Sequence, residues 1–98
     1  MTVQMVIELP GRQGAQAVIR ALDTYKARLR SSIERTQRRL NGFEQRYGVS
    51  TTQFLNTMAS EDLAGGDLEY VEWAGEARLL DGLRSELEEL EDAHYRLS

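Results

Sequence analysis

The one histidine, His94, stands three residues after Glu91, the Glu-x-x-His spacing that sets two metal ligands on one helix face in carboxylate-bridged bundles. Beside it run Glu86, Glu88, Glu89, Glu91 and Asp92, carboxylates that could exchange protons with a substrate in a dry cleft. Neither chemistry suits the setting. In so dense an acidic run, a Glu three positions before a His needs no metal to explain it. His94 also falls on the seam of a seven-residue repeat, where a single polar residue sets helix register. Acid–base work needs a concave, partly water-free pocket, which a thin helical pair rarely encloses. Gly11 and Gly14 lack the further glycines and the Lys of a phosphate loop. Ser31 and Ser32 lie inside a helical stretch with no base nearby in sequence. Without Cys there is no thiol nucleophile, disulfide or zinc–thiolate centre. The expectation is a chain with no catalytic residue, metal or cofactor, and therefore not an enzyme.

What remains to do chemistry is charge. The net charge of −4 hides a strong polarity. Residues 1–48 hold nine Lys/Arg against four Asp/Glu, and residues 49–98 hold three against twelve, so the halves carry +5 and −9. Eleven of the twelve basic residues are Arg, which suits planar pairing with carboxylate or phosphate. Two halves folded onto each other neutralise part of this, and the unpaired flank faces an acidic partner or nucleic acid.

The elements that must position these charges are legible in the hydrophobic periods. Thr2 to Leu9 alternate, with Val3, Met5, Ile7 and Leu9 on one face, and Pro10-Gly11 ends the run. One strand cannot make a sheet, and no second strand-like segment is visible downstream. The expectation is therefore pairing in trans, with a copy or another protein. From about 13 to 47 a helical stripe follows: Val18, Leu22, Tyr25, Leu29, Ile33, Thr36, Leu40, Phe43 and Tyr47 lie within about 40° of Leu29 on the wheel. Arg28, Arg35, Arg39 and Arg46 form a row along one flank. Gly48 is a good helix terminator. Ser50 to Gln53 is a capping box, with Val49 placed to staple against Phe54, and starts a short helix over about 50–60. Ala64-Gly65-Gly66 breaks the chain and Asp67 caps the last helix, about 67–97, in which Trp73, Leu80, Leu87 and His94, like Leu83, Leu90 and Leu97, recur every seven residues.

The fold expected is mainly α: one domain over 1–98, a long antiparallel helical hairpin or coiled coil with a short middle helix and an N-terminal strand. Its core would pack Leu22, Leu29, Ile33, Leu40 and Phe43 against Trp73, Leu80, Leu83, Leu87 and Leu90, and Leu87→Asp would dismantle it. Tyr70, at the edge of the stripe, would face outward. At 98 residues such a chain buries a modest share of its surface, which favours homo-oligomers. A single Pro and no apolar run near 18 residues exclude a membrane span. With no secretory pattern at the start, a cytoplasmic location is expected.

The segment Phe43-Glu44-Gln45-Arg46-Tyr47-Gly48-Val49-Ser50-Thr51-Thr52-Gln53-Phe54 resembles the F-E-x-x-Y-G-[MV]-S-x-x-x-F stretch of small bacterial and archaeal antitoxin-like proteins. Asp67-Leu68-Glu69-Tyr70-Val71-Glu72-Trp73 and the Leu/Glu-rich end are similar to the later part of the same pattern, so the likeness covers about residues 40–90. It implies a protein that binds and neutralises a small toxin, often ribonuclease-like, encoded beside it, and it carries no catalytic residues. Partner contacts would come from Val3, Met5 and Ile7 on the strand, from Arg28, Arg35 and Arg39, from Tyr70, and from Glu86 and Glu89 as phosphate mimics.

A second likeness is to ribbon-helix-helix repressors, whose strand pairs with a dimer mate and lies in the DNA major groove. Gly48-Val49-Ser50-x-x-x-Phe54 looks like the turn into their second helix. The first helix here is far longer, and Thr2, Gln4 and Val6 offer no Arg or Lys to guanine. DNA binding with autoregulation is thus the alternative, and a homo-oligomeric coiled-coil adapter the second.

Overall fold

Thirty-six residues, Arg12–Tyr47, form one continuous helix, α1, about 54 Å long. Its start is weakly capped: Gly11 is extended and offers no side-chain acceptor, and no acid occupies the first turn. Its end is sharp. Gly48 takes the left-handed conformation at φ 70°, which a Cβ disfavours, and donates its N–H to the Glu44 carbonyl at 2.9 Å. The chain is thereby turned straight into α2, Thr51–Thr57. Ser50 Oγ accepts the Gln53 N–H at 3.0 Å, the expected cap, and the Glu44 carboxylate accepts the Thr51 N–H at 2.7 Å. The third helix, α3, runs Leu68–Glu91. The computed structural model describes residues 3–57 and 68–93, and residues 96–97 as backbone. The expected end of the middle helix at 58–60, the Asp67 cap and His94 lie outside these.

Packing of α1 on α3 dominates the tertiary structure. Arg46 pairs with Glu69, Arg39 with Glu76 and Arg30 with Glu91, so residues advance along α1 as they recede along α3. The hairpin is antiparallel, within an envelope of 57 × 27 × 19 Å. Two strands complete the described fold: β1, Val6–Ile7, and β2, Arg96–Leu97. They pair in parallel, Val6 with Arg96 and Ile7 with Leu97.

This corrects two expectations, the absence of a downstream strand and the length of the last helix. A second strand does exist downstream, and β1 pairs with it inside the same chain. The last helix also stops at Glu91 rather than near Leu97. Its final turn holds no basic residue, and the carboxylates of Glu88, Glu89 and Glu91 oppose the negative end of the helix dipole. Asp92 donates the last helical N–H, to Glu88 O at 2.9 Å, and the chain then leaves the helix.

The core sits at the closed end of the hairpin, where α2 adds a third wall. Leu40, Phe54, Trp73, Ala74, Ala77 and Leu80 form one buried cluster, with Ile33, Phe43, Tyr47, Val49 and Tyr70 packed on it. Trp73 and Phe54 are wholly buried, their rings stacked at 3.9 Å and 1°. Phe43 and Tyr47 stack on the same indole at 5.5 Å each, and Trp73 Nε1 donates to Thr51 Oγ1 at 3.0 Å. Every ring therefore has an apolar neighbour, and the one buried indole donor has an acceptor. Of the expected core, Leu29, Leu40, Trp73 and Leu80 are buried, while Leu22, Ile33, Leu83, Leu87 and Leu90 are only half-buried. Two helices alone enclose few side chains, Leu29 being the one buried leucine outside the α2-closed cluster. Where α2 is absent, the seam stays partly wet.

Candidate functional site

Three surfaces gather the residues that the sequence singles out. The first is the N-terminal segment. Val3 is 81% exposed and Met5 65%, with Val6 half-exposed next to them, while Ile7 is half-buried. β1 is hydrogen-bonded along one edge only, to β2, and its other edge has no strand beside it among the described residues. An apolar row beside an open edge is a template for another strand. Leu9 anchors the segment to α1, where its side chain lies 3.5 Å from the position a Cβ would take on Gly14.

The second surface is the open end of α3. Glu86, Glu88 and Glu89 are all exposed, and β2 follows this end within a few residues. The apolar edge and the acidic cluster thus belong to the same end of the molecule. Tyr25 on α1 reaches across to donate its hydroxyl proton to the Glu86 carboxylate. That hydrogen bond raises the phenol above its ordinary pKa of 10.0, with desolvation and the carboxylate's charge acting in the same direction. The neutral phenol is the form that donates, so this contact is complete below the ordinary value and is lost as pH climbs through the raised one. Replacing Glu86 with Gln should lower the Tyr25 midpoint, read from its ring-carbon NMR shift on titration.

The third surface is a groove between α1 and α3 on one broad side of the hairpin. It has a volume of about 670 Å³ and is lined by Arg39, Gly42, Phe43 and Arg46 from α1, and by Glu69, Glu72, Gly75 and Glu76 from α3. Arg39 meets Glu76 at 2.8 Å. Glu69 accepts from both Arg46 and the Tyr47 hydroxyl. These contacts join exposed arginines to carboxylates, so their strength as isolated pairs is small. Their value is in setting the register of the two helices. Neither glycine has anything within 4 Å of where a Cβ would stand, so the groove is open to solvent along both walls.

The expected contact residues are thus dispersed. Val3, Met5 and Ile7 lie on the arm, Glu86 and Glu89 at the acidic end, and Arg28, Arg35 and Arg39 along one exposed flank of α1. Arg35 bonds only Ser32 among the described residues, at 3.1 Å. Tyr70 corrects its expectation. It is half-buried and makes edge contacts to Phe54 at 5.1 Å and Tyr47 at 5.3 Å, because α2 folds over the side of α3 that a two-helix wheel leaves bare.

Sequence reading missed Glu69 and Glu76 as partners of the arginine row. A signal was present: Arg39 and Arg46 stand seven residues apart, as do Glu69 and Glu76, a matched ladder for antiparallel helices. Among the described residues no cluster of three or more His, Cys, Asp or Glu could hold a metal, and no helix is long and apolar enough to cross a membrane. No protein-family model matches this chain, and neither a curated protein nor a solved structure does so.

Proposed function

We propose that this chain works by association: it binds a cognate toxin protein and neutralises it by occlusion, as the antitoxin-like resemblance implies. The observation that supports this most is the exposed pair Val3 and Met5 beside the open edge of β1, with Val6 exposed on the opposite face. Main-chain hydrogen bonds from that edge would extend a sheet of the partner, and the alternate side chains would select it. The exposed Glu86, Glu88 and Glu89 at the same end fit a toxin that degrades RNA, since such an enzyme presents a basic face to phosphates. The chain itself makes and breaks no bond and takes no cofactor in this reading.

The test is coexpression with the product of the adjoining reading frame. The pair should copurify, and growth arrested by the neighbour alone should resume when this chain is supplied. A neighbour that leaves growth normal when expressed alone would end the reading.

A repressor-like role is the second reading, favoured by the exposed Arg28 and Arg35, which have no carboxylate partner among the described residues. Phosphate contacts through them would make DNA affinity fall steeply with salt. A gel-shift on the chain's own promoter at low salt separates the two readings, since retardation belongs to the second alone.

A further inference from the structure

The broad side of the hairpin that carries the groove is unlike a finished surface. On α3 it continues from Glu72, Gly75 and Glu76 one and two turns on to Leu79, Leu83 and Glu86, which share that flank at helical spacing. Leu79 is 47% exposed and Leu68, at the head of the same flank, 76%. On α1 the corresponding flank is Arg46, Gly42, Arg39, Arg35 and Arg28, with small residues such as Thr24 and Ser31 between the arginines. One rail of this face is therefore basic and the other acidic. The charge is also incompletely spent. Arg28 and Glu72 form no ion pair among the described residues, and Glu76 Oε2, shut off from solvent, has no hydrogen-bond partner.

From this juxtaposition we infer that the face is covered by a second copy of the chain, related by a dyad parallel to the helices, in a four-helix bundle in which α1 of each copy lies on α3 of the other. Charge selects this operator. A dyad across the helices would set α1 on α1 and α3 on α3, stacking arginines on arginines and carboxylates on carboxylates. The parallel dyad sets each arginine rail against an acidic one, and it makes every neighbouring pair of helices antiparallel.

Register follows from the contacts within one copy. Arg39 lies level with Glu76 and Arg46 with Glu69, and an axis along the bundle preserves level. Gly42 of the second copy then meets the stretch Glu72–Gly75, its Arg39 comes to the level of Glu76, and its Arg28 and Arg35 come to the levels of Glu86 and Leu79. The open space at both glycines lets the backbones approach closely. The inference stands apart from the toxin reading in needing no other protein, although the two surfaces meet at Glu86.

The experiment uses the full chain, which holds no Cys, so single thiols report without background. Sedimentation equilibrium should return twice the chain mass at about 10 µM, within the range of a specific dimer. Leu79→Glu should give a monomer with unchanged helical circular dichroism, and Glu72→Arg should weaken dimerisation roughly tenfold through like-charge contact. Proteins carrying Gly42→Cys and Gly75→Cys should cross-link through a short bis-maleimide when mixed, and neither should do so alone. A monomer at every concentration up to about 100 µM, dimerisation unchanged in Leu79→Glu, or cross-linking of Gly42→Cys to itself would each overturn the arrangement.

Discussion

Replacing Trp73 with Ala should strip this protein of a large share of its stability. Truncating a wholly buried Trp costs about 3–5 kcal/mol when the surroundings cannot collapse into the space. The total stability of a domain of this size is on the order of 5–15 kcal/mol. Collapse is blocked here because the indole is the hub of the cluster: Phe54 stacks on it at 3.9 Å, and Phe43 and Tyr47 at 5.5 Å. Removing it also strands the Thr51 hydroxyl that accepts its N–H and loosens α2, whose one buried residue is Phe54. Urea denaturation followed by circular dichroism at 222 nm should show the midpoint falling by more than half. Leu87→Asp should be milder, because Leu87 is half-buried on a seam that α2 does not cover. If Leu87→Asp proved the more damaging of the two, the core would have to lie along the hairpin seam and not at its closed end.

How much of this was readable in advance differs element by element, for physical reasons. The stripe from Val18 to Tyr47 announces α1 because a single helix face is buried throughout, and Gly48 marks its end because only a residue without Cβ enters the left-handed region freely. Ser50 announces α2 through its side-chain oxygen, a local interaction between neighbours. The heptad of α3 was legible as far as Leu90 and misleading beyond. Leu97 keeps the period by coincidence of spacing, while the carboxylates before it oppose the helix dipole. A two-residue strand such as Arg96–Leu97 has no period to detect, and only the arm folding back to it in space makes it a strand. Tyr70 was misplaced for a related reason. A wheel drawn for two helices cannot know that a third, short one closes over its flank, and the same blind spot moved the centre of the core from the leucine seam to the aromatic cluster. Arg28, Arg35 and Arg39 were singled out as a row, but only the antiparallel register shows that Arg39 and Arg46 are already engaged with Glu76 and Glu69. The site on the arm was legible as an apolar row, whereas its pairing within the chain was not.

A double substitution on that arm, Val3→Lys with Met5→Lys, should abolish capture of the proposed partner while leaving the hairpin intact. The two side chains are among the most exposed apolar groups in the protein, so folding loses little when they become charged. They share the strand face with Ile7, and in strand addition this face fills the pockets of the partner sheet while the backbone supplies the hydrogen bonds. A desolvated apolar anchor contributes about 1–2 kcal/mol or more to an interface, so losing two weakens binding about 100-fold. The two-residue ladder of Val6 and Ile7 with β2 would not hold the arm against such a partner, since so short a pairing is marginal in water. Hydrogen exchange gives the matching readout: the amides of residues 3–7 should exchange quickly in the free protein and become protected on the partner. Leu79→Lys, on the far flank of α3, serves as the control and should capture the partner as the unaltered chain does. Full affinity in the arm variant, with unprotected amides in the complex, would assign recognition to the acidic end of α3 and leave β1 as no more than a local tie between the two ends of the chain.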